Sequence, residues 1–101
     1  MPDRLQSLRP ILAARAADLL SVFGDANRVR LLWLLIQAEI NVTSLARATG
    51  MSVSAVSHHL RQLRHRRLVS VRKAGREVYY RVDDDHIIAL LQQVVSHARH
   101  A

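Results

Sequence analysis

Three of the six histidines lie near the C-terminus of this 101-residue chain, and an aspartate lies close to them. Imidazole nitrogen and carboxylate oxygen are ligands that Zn(II) binds in tetrahedral sites, and Co(II) accepts a similar set. The chain contains no cysteine, so disulfides, thiolate metal sites and thiol chemistry are excluded. The candidate metal ligands are Asp84, His86, His97 and His100.

The spacing of these residues places the three histidines along one stripe of a helix. At about 100° per residue, His97 comes round to within about 20° of His86, and His100 falls about 40° to the other side. At about 1.5 Å per residue, however, His86 and His97 are about 16 Å apart along the axis, too far to share one ion. Two copies of the helix packed antiparallel about a two-fold axis would bring the N-terminal pair, Asp84 and His86, next to the partner's C-terminal pair. Each of two equivalent sites would then hold three imidazoles and one carboxylate.

A plainer interpretation of the same residues stays open. Histidines are common on protein surfaces, Asp84 is a suitable helix N-cap, and Asp85 complements the helix dipole. The remaining histidines, His58, His59 and His65, point apart or lie among arginines, and no metal role is expected for them.

A basic segment, residues 41–82, carries all the excess charge of the chain. The chain as a whole has a net charge of +7. This segment holds nine basic residues and one acid, a net charge of +8, whereas the remainder carries −1. A contiguous basic stretch of this kind is typical of a surface that binds nucleic acid. A solvated basic face without a partner, or one that meets a membrane surface, is the alternative.

The first half of the basic segment has the pattern of a helix-turn-helix. Thr43 is predicted to cap a short helix over 44–49 that Gly50 ends, and Ser52 to cap a second helix from Val53 to about Arg67. Apolar residues at spacings of three and four are expected to face the core, namely Val53, Val56, Leu60 and Leu63. The opposite face is polar and cationic. Its candidate contacts with DNA bases are Ser54, Ser57, His58 and Arg61.

A basic hairpin follows the helix-turn-helix. Two strands are predicted over 69–73 and 76–82, and Gly75 can take the positive φ that a tight turn requires. Arg72, Lys73 and Arg76 flank this turn and are candidate contacts with DNA phosphates. The predicted fold class is therefore mainly α with a small β-hairpin, a winged helix-turn-helix.

Two helices are predicted before this unit and one after it. Ser7 is expected to cap the first helix, with Pro10 in its first turn, and Asp25 the second. The last helix is predicted from near Asp84 to His97 or beyond. The apolar side of the first helix is predicted from Ile11, Leu12, Leu19 and Leu20. Residues 1–101 are expected to form a single domain. A cytoplasmic protein is expected because no apolar run approaches the about 20 residues that span a bilayer.

From about Leu19 onward, the sequence resembles the ArsR/SmtB family of bacterial metal-sensing repressors. Asp84-x-His86 followed by His97-x-x-His100 is similar to the last-helix site of the family's zinc and cobalt sensors. The other segments that carry the resemblance are Phe23–Arg28, Ser54–Leu63, Leu68–Arg76 and Val78–Tyr80.

The resemblance implies a homodimer that has its first and last helices at the interface and binds an inverted-repeat operator in double-stranded DNA. It also implies that metal releases the repressor from DNA. Zn(II) is expected first and Co(II) second. Ni(II) sensors of the family recruit further ligands, and only Asp3 is available here to supply one. A backbone carbonyl near Arg67 is a candidate acceptor for the second ring nitrogen of His97.

The expected function is a repressor that Zn(II) or Co(II) releases from its operator. The leading alternative is a winged-helix repressor that metal does not regulate. A small zinc hydrolase is disfavoured because the four ligands leave no open position and the chain is too short to enclose a pocket. No enzyme activity and no small organic substrate are therefore expected. A protein-interaction module is disfavoured because the exposed helix face is polar and cationic.

Overall fold

The computed structural model describes residues 4–101, which form a winged helix. A helix-turn-helix is made by α3 (Val42–Thr49) and α4 (Val53–His65), and the hairpin of β2 (Ser70–Ala74) and β3 (Glu77–Arg81) forms the wing beside it, as the sequence predicts. A short strand, β1 (Ile40–Asn41), joins the wing, so that the three-stranded antiparallel sheet has the order β1-β3-β2. In chain order the described elements are α1 (Pro10–Val22), α2 (Ala26–Leu35), β1 (Ile40–Asn41), α3 (Val42–Thr49), α4 (Val53–His65), β2 (Ser70–Ala74), β3 (Glu77–Arg81) and α5 (Asp85–Arg99).

Short polar side chains begin four of these helices. Asp25 caps α2, with Oδ1 accepting from the backbone N–H groups of Asn27 and Arg28 at 2.9 and 3.1 Å. Ser52 caps α4 through the N–H of Ala55 at 3.0 Å. Asp84 caps α5. These three caps were predicted from the sequence.

The predicted caps of the other two helices are wrong. Asn41 caps α3 in place of Thr43, because its Oδ1 accepts from the Ser44 N–H at 2.8 Å and the helix already begins at Val42. Ser7 lies outside α1, which begins at Pro10 with no side-chain cap. Proline is favoured at a first helical position because its φ is already helical and its missing N–H has no partner there.

The wing is fixed at both ends. Gly75 has a φ of 61°, and Ala74 pairs with Glu77 across the turn. At the other end of β3, the N–H of Val82 donates to the Leu35 carbonyl of α2 at 2.9 Å. The wing therefore has a defined position beside the helices.

The core lies between α2, α3, α4 and α5. Val56 and Leu60 of α4 are buried as predicted, but Val53 is 52% exposed and does not face the core. Val53 is the first residue of α4, and the buried side chains of this helix begin at Val56. The largest fully buried side chains include Leu31, Leu32, Leu35, Leu45, Leu60, Leu63 and Leu91.

Most of the apolar side of α1 is exposed in the single chain. Leu19 packs against the core, but Ile11 and Leu12 are 58% and 48% exposed. Leu8, just before the helix, is 63% exposed. This exposed apolar face of α1 leaves a surface that a partner can cover. Within residues 4–101, no helix is long and apolar enough to cross a membrane.

Candidate DNA-binding surface and metal ligands

The outer face of α4 carries the residues predicted to contact DNA bases. Ser54, His58 and Arg61 are exposed, and Ser57 is half-buried on the side nearer the wing. Because Val56, Leu60 and Leu63 hold the opposite side of α4 in the core, the direction of this face is fixed. Hydroxyl, imidazole and guanidinium groups on such a face can donate to or accept from base edges in a major groove.

A cleft connects α4 to the wing. Ser57, Arg61 and Arg64 line it from α4, and Tyr80 lines it from β3, around a volume of about 300 Å³. The structure thus brings the face predicted to contact bases next to the sheet that carries the residues predicted to contact phosphates. Tyr80 was not among the candidate residues named from the sequence, and only the tertiary structure places it in this cleft.

The three cations of the wing differ in their surroundings. Lys73 and Arg76 are exposed beside the Gly75 turn. Arg72 is already engaged, since its Nε donates to Glu39 at 2.7 Å and its guanidinium lies 5.1 Å from the centre of the Tyr79 ring. Arg72 therefore contacts the residue before β1, a contact that the sequence did not reveal.

The candidate metal ligands occupy the two ends of α5. Asp84 Oδ1 accepts from the N–H groups of His86 and Ile87 at 2.9 and 3.2 Å, and lies 3.8 Å from Nδ1 of His86. His86 is fully exposed, and His97 and His100 are exposed at the other end. The N-cap interpretation of Asp84 is thus confirmed. A capping carboxylate still has a second oxygen with which to bind a cation.

One copy of the chain does not gather these ligands. Within residues 4–101, no group of three metal-ligating side chains lies close enough to hold an ion. Helical spacing alone accounts for this, since α5 separates Asp84 and His86 from His97 and His100. The donor set, exposed imidazoles with one carboxylate and no thiolate, fits Zn(II) or Co(II) if a second copy completes it. Asp3, the possible additional ligand for Ni(II), lies outside the described residues.

Arg67 ends α4 in an unusual backbone conformation. Its φ of 60° is left-handed, and the N–H of the following Leu68 donates to the Leu63 carbonyl at 2.9 Å. The backbone therefore turns sharply at this point. A hydrogen bond from His97 to a carbonyl near Arg67 stays a prediction.

A winged helix with an exposed cationic helix face is an arrangement that DNA-binding transcriptional regulators use. The family described as "Bacterial regulatory protein, arsR family" matches residues 25–71. The chain is 44% identical over 85 residues to "Transcriptional repressor SmtB homolog" from Synechocystis, with 84% of this chain and 64% of that protein covered. It is 40% identical over 88 residues to "HTH-type transcriptional regulator NmtR" from Mycobacterium tuberculosis, with 87% of this chain and 73% of that protein covered.

Solved structures agree with these sequence relatives. The solution structure of apo-NmtR superposes with a TM-score of 0.80 at 36% identity, and covers 100% of this chain and 85% of that one. A homodimeric winged helix-turn-helix DNA-binding domain from Mycobacterium bovis gives 0.79 at 28% identity, with 94% and 91% covered. This chain belongs to the ArsR/SmtB family of bacterial regulatory proteins. It spans just under two thirds of the length of the Synechocystis relative.

Proposed function

We propose that this chain is a transcriptional repressor that binds operator DNA as a homodimer and is released by Zn(II), or by Co(II), bound between the two protomers. The observation that carries the proposal is the placement of residues on two helices. The outer face of α4 presents hydroxyl, imidazole and guanidinium groups, and α5 carries Asp84 and His86 at one end and His97 and His100 at the other.

DNA binding is assigned to α4 and the wing. Ser54, Ser57, His58 and Arg61 would contact base edges in the major groove. Lys73 and Arg76 would contact phosphates, which position the protein without reading sequence. Arg72 would do so with the guanidinium N–H groups that its bond to Glu39 does not use. The net charge of +7 favours this partner.

The homodimer is supported by the exposed apolar face of α1. Leu8, Ile11 and Leu12 together leave more apolar surface in water than isolated exposed residues do, and burial against a second copy would remove it. We place α5 at the same interface, where it would serve both dimerisation and metal sensing, with residues 1–101 as one domain. Two α4 helices related by a two-fold axis would recognise an inverted repeat.

The metal ligands would come from both protomers. Asp84 and His86 of one chain would meet His97 and His100 of the other, and the bound cation would supply a cross-link between the two. Such a cross-link selects one relative orientation of the protomers, and therefore one spacing of the two α4 helices. A spacing that does not match successive major grooves lowers DNA affinity by the coupling free energy, typically about 1–3 kcal/mol.

A titration of the metal-free protein with Co(II), followed by visible absorption, tests the site. Intense d–d bands that saturate at one ion per protomer and are bleached by Zn(II) are expected for tetrahedral coordination. The matched measurement is operator affinity with and without Zn(II) at fixed salt, because phosphate contacts make affinity depend steeply on salt. Absent bands and unchanged operator affinity would instead favour a repressor that metal does not regulate.

A further inference from the structure

A pocket of about 420 Å³ is lined by residues of α4 and the turn that follows it, together with Arg28 of α2. This volume is within the range of small-ligand sites, about 300–1,000 Å³. Of its five lining residues, three are arginines and none is acidic. We call this the α2–α4 basic pocket, and its lining consists of Arg28, Arg61, Gln62, His65 and Arg66.

Arg28 lacks acceptors for part of its guanidinium. Its Nη2 donates to the Ser21 carbonyl at 3.4 Å, a long hydrogen bond. Its Nε is buried and has no hydrogen-bond partner within residues 4–101. A buried donor that has lost water and gained no acceptor is energetically unfavourable, and more so when it is charged. The outer guanidinium N–H groups of Arg28 that do not bond to the Ser21 carbonyl can donate to an anion in the pocket.

Arg66 defines the opposite side of the pocket. Its Nη1 donates to Asp18 of α1 at 2.7 Å, and the two side chains are 37% and 67% exposed. An ion pair this exposed contributes little to stability. The remaining N–H groups of Arg66 can still donate to a ligand, because a guanidinium has five donors and the carboxylate uses only part of them.

We propose that the α2–α4 basic pocket binds a phosphate oxyanion. Planar guanidinium groups match the geometry of phosphate oxygens and bind them through paired hydrogen bonds. The Gln62 amide and the His65 ring add neighbouring donors. Two sources carry this group: the DNA backbone beside the groove that α4 enters, and a free phosphate in solution. A phosphate from the DNA backbone depends on the proposed DNA binding, whereas a free phosphate does not.

Inorganic phosphate tests the pocket in the absence of DNA. The full chain, with its arginines labelled with ¹⁵N, is titrated with phosphate while chloride keeps the ionic strength constant. A saturable shift of the Arg28 Nε–H signal is expected, with no saturable shift of the Arg76 Nε–H signal of the wing. Arg66→Gln should weaken this binding by about tenfold, a typical loss for one charge-assisted contact.

Asp18→Asn is the matched control for Arg66→Gln. Both substitutions remove the ion pair between α1 and α4, but only Arg66→Gln removes the cation. Asp18→Asn should therefore bind phosphate at least as tightly as the unmodified chain. A similar loss in both variants would show that the ion pair shapes the pocket without a phosphate contact, and would overturn the proposal. Thermal unfolding of each variant verifies that it remains folded.

DNA binding then identifies the source of the phosphate. If the backbone supplies it, Arg66→Gln lowers affinity for a random-sequence duplex and reduces the slope of log K against log salt by about 0.9 for one lost contact. If free phosphate is the ligand, Arg66→Gln leaves DNA affinity unchanged while phosphate binding falls. If the chain gives the saturable phosphate shift but binds no DNA, the proposed function is contradicted, whereas the proposal that the α2–α4 basic pocket binds phosphate stands. The proposal that the pocket binds phosphate would be overturned if the phosphate shifts are linear and Arg66→Gln leaves DNA affinity unchanged.

Discussion

Asp84 is both a helix cap and a candidate metal ligand, and different substitutions can separate these two roles. Its Oδ1 caps α5, and the same carboxylate is a candidate metal ligand. Asparagine caps helices about as well as aspartate, but a neutral amide binds a divalent cation more weakly.

We expect Asp84→Asn to keep the stability of the metal-free protein and to weaken Co(II) binding. Asp84→Ala should weaken Co(II) binding and also lower the free energy of unfolding by about 1 kcal/mol, because the cap is lost. Thermal unfolding in a chelator and the cobalt titration measure the two effects. Undiminished cobalt binding by Asp84→Asn would remove this residue from the ligand set.

Asp25, the cap of α2, gives a prediction about pH. The hydrogen bond from the Arg28 backbone N–H is the main cause that lowers the pKa of Asp25 below its ordinary value of 3.8. Because the folded-state pKa is lower than the unfolded one, the contribution of Asp25 is fully present above pH 3.8 and is lost as the pH falls through the folded-state value.

The matched variant is Asp25→Asn, which keeps a capping oxygen and does not titrate. Its free energy of unfolding should decrease less steeply with falling pH below pH 3.8 than that of the unmodified chain. Denaturant unfolding across this range is the measurement. Identical slopes in the two proteins would mean that Asp25 has the same pKa in the folded and unfolded states.

At the scale of elements, α4 and the wing are expected to contribute differently to DNA binding. Lys73→Gln should weaken binding to operator and random DNA equally, because a phosphate contact is insensitive to sequence. Arg61→Gln should weaken operator binding more than random binding, with a loss of discrimination of about 1–3 kcal/mol if the guanidinium contacts a guanine. The affinities of both variants for both duplexes, measured at fixed salt, test this difference. Equal losses on both duplexes for Arg61→Gln would place this side chain on phosphate.

At the scale of the whole molecule, the exposed apolar face of α1 predicts the oligomeric state. Ile11→Glu puts a charge at a position that the proposed interface would bury, and should raise the dissociation constant of the dimer by at least about tenfold. Val53→Glu is the matched control, because Val53 is 52% exposed against 58% for Ile11 but lies on α4. Sedimentation at several concentrations should show a dimer for the control and a shift toward monomer for Ile11→Glu. A monomeric unmodified chain would contradict the proposed homodimer.

The sequence by itself determined the features that depend on neighbouring residues. The caps Asp25, Ser52 and Asp84, the turn at Gly75 and the buried face of α4 follow from local hydrogen bonding, glycine φ and helical periodicity. The distance between the two ligand pairs followed in the same way, because helix geometry fixes it. These patterns were sufficient for the winged helix, and the resemblance to the family supported the same fold.

Only the tertiary structure decided the features that join distant parts of the chain. Strand β1 has two residues, too few to show alternation, and it exists because Ile40 pairs with Tyr80. Arg72 meets Glu39, and Arg66 meets Asp18, across separations of 33 and 48 residues. The exposed apolar face of α1 and the α2–α4 basic pocket also depend on how distant parts of the chain pack together. A sequence pattern records what each helix can bury or present, whereas contacts between helices decide which of those surfaces are covered.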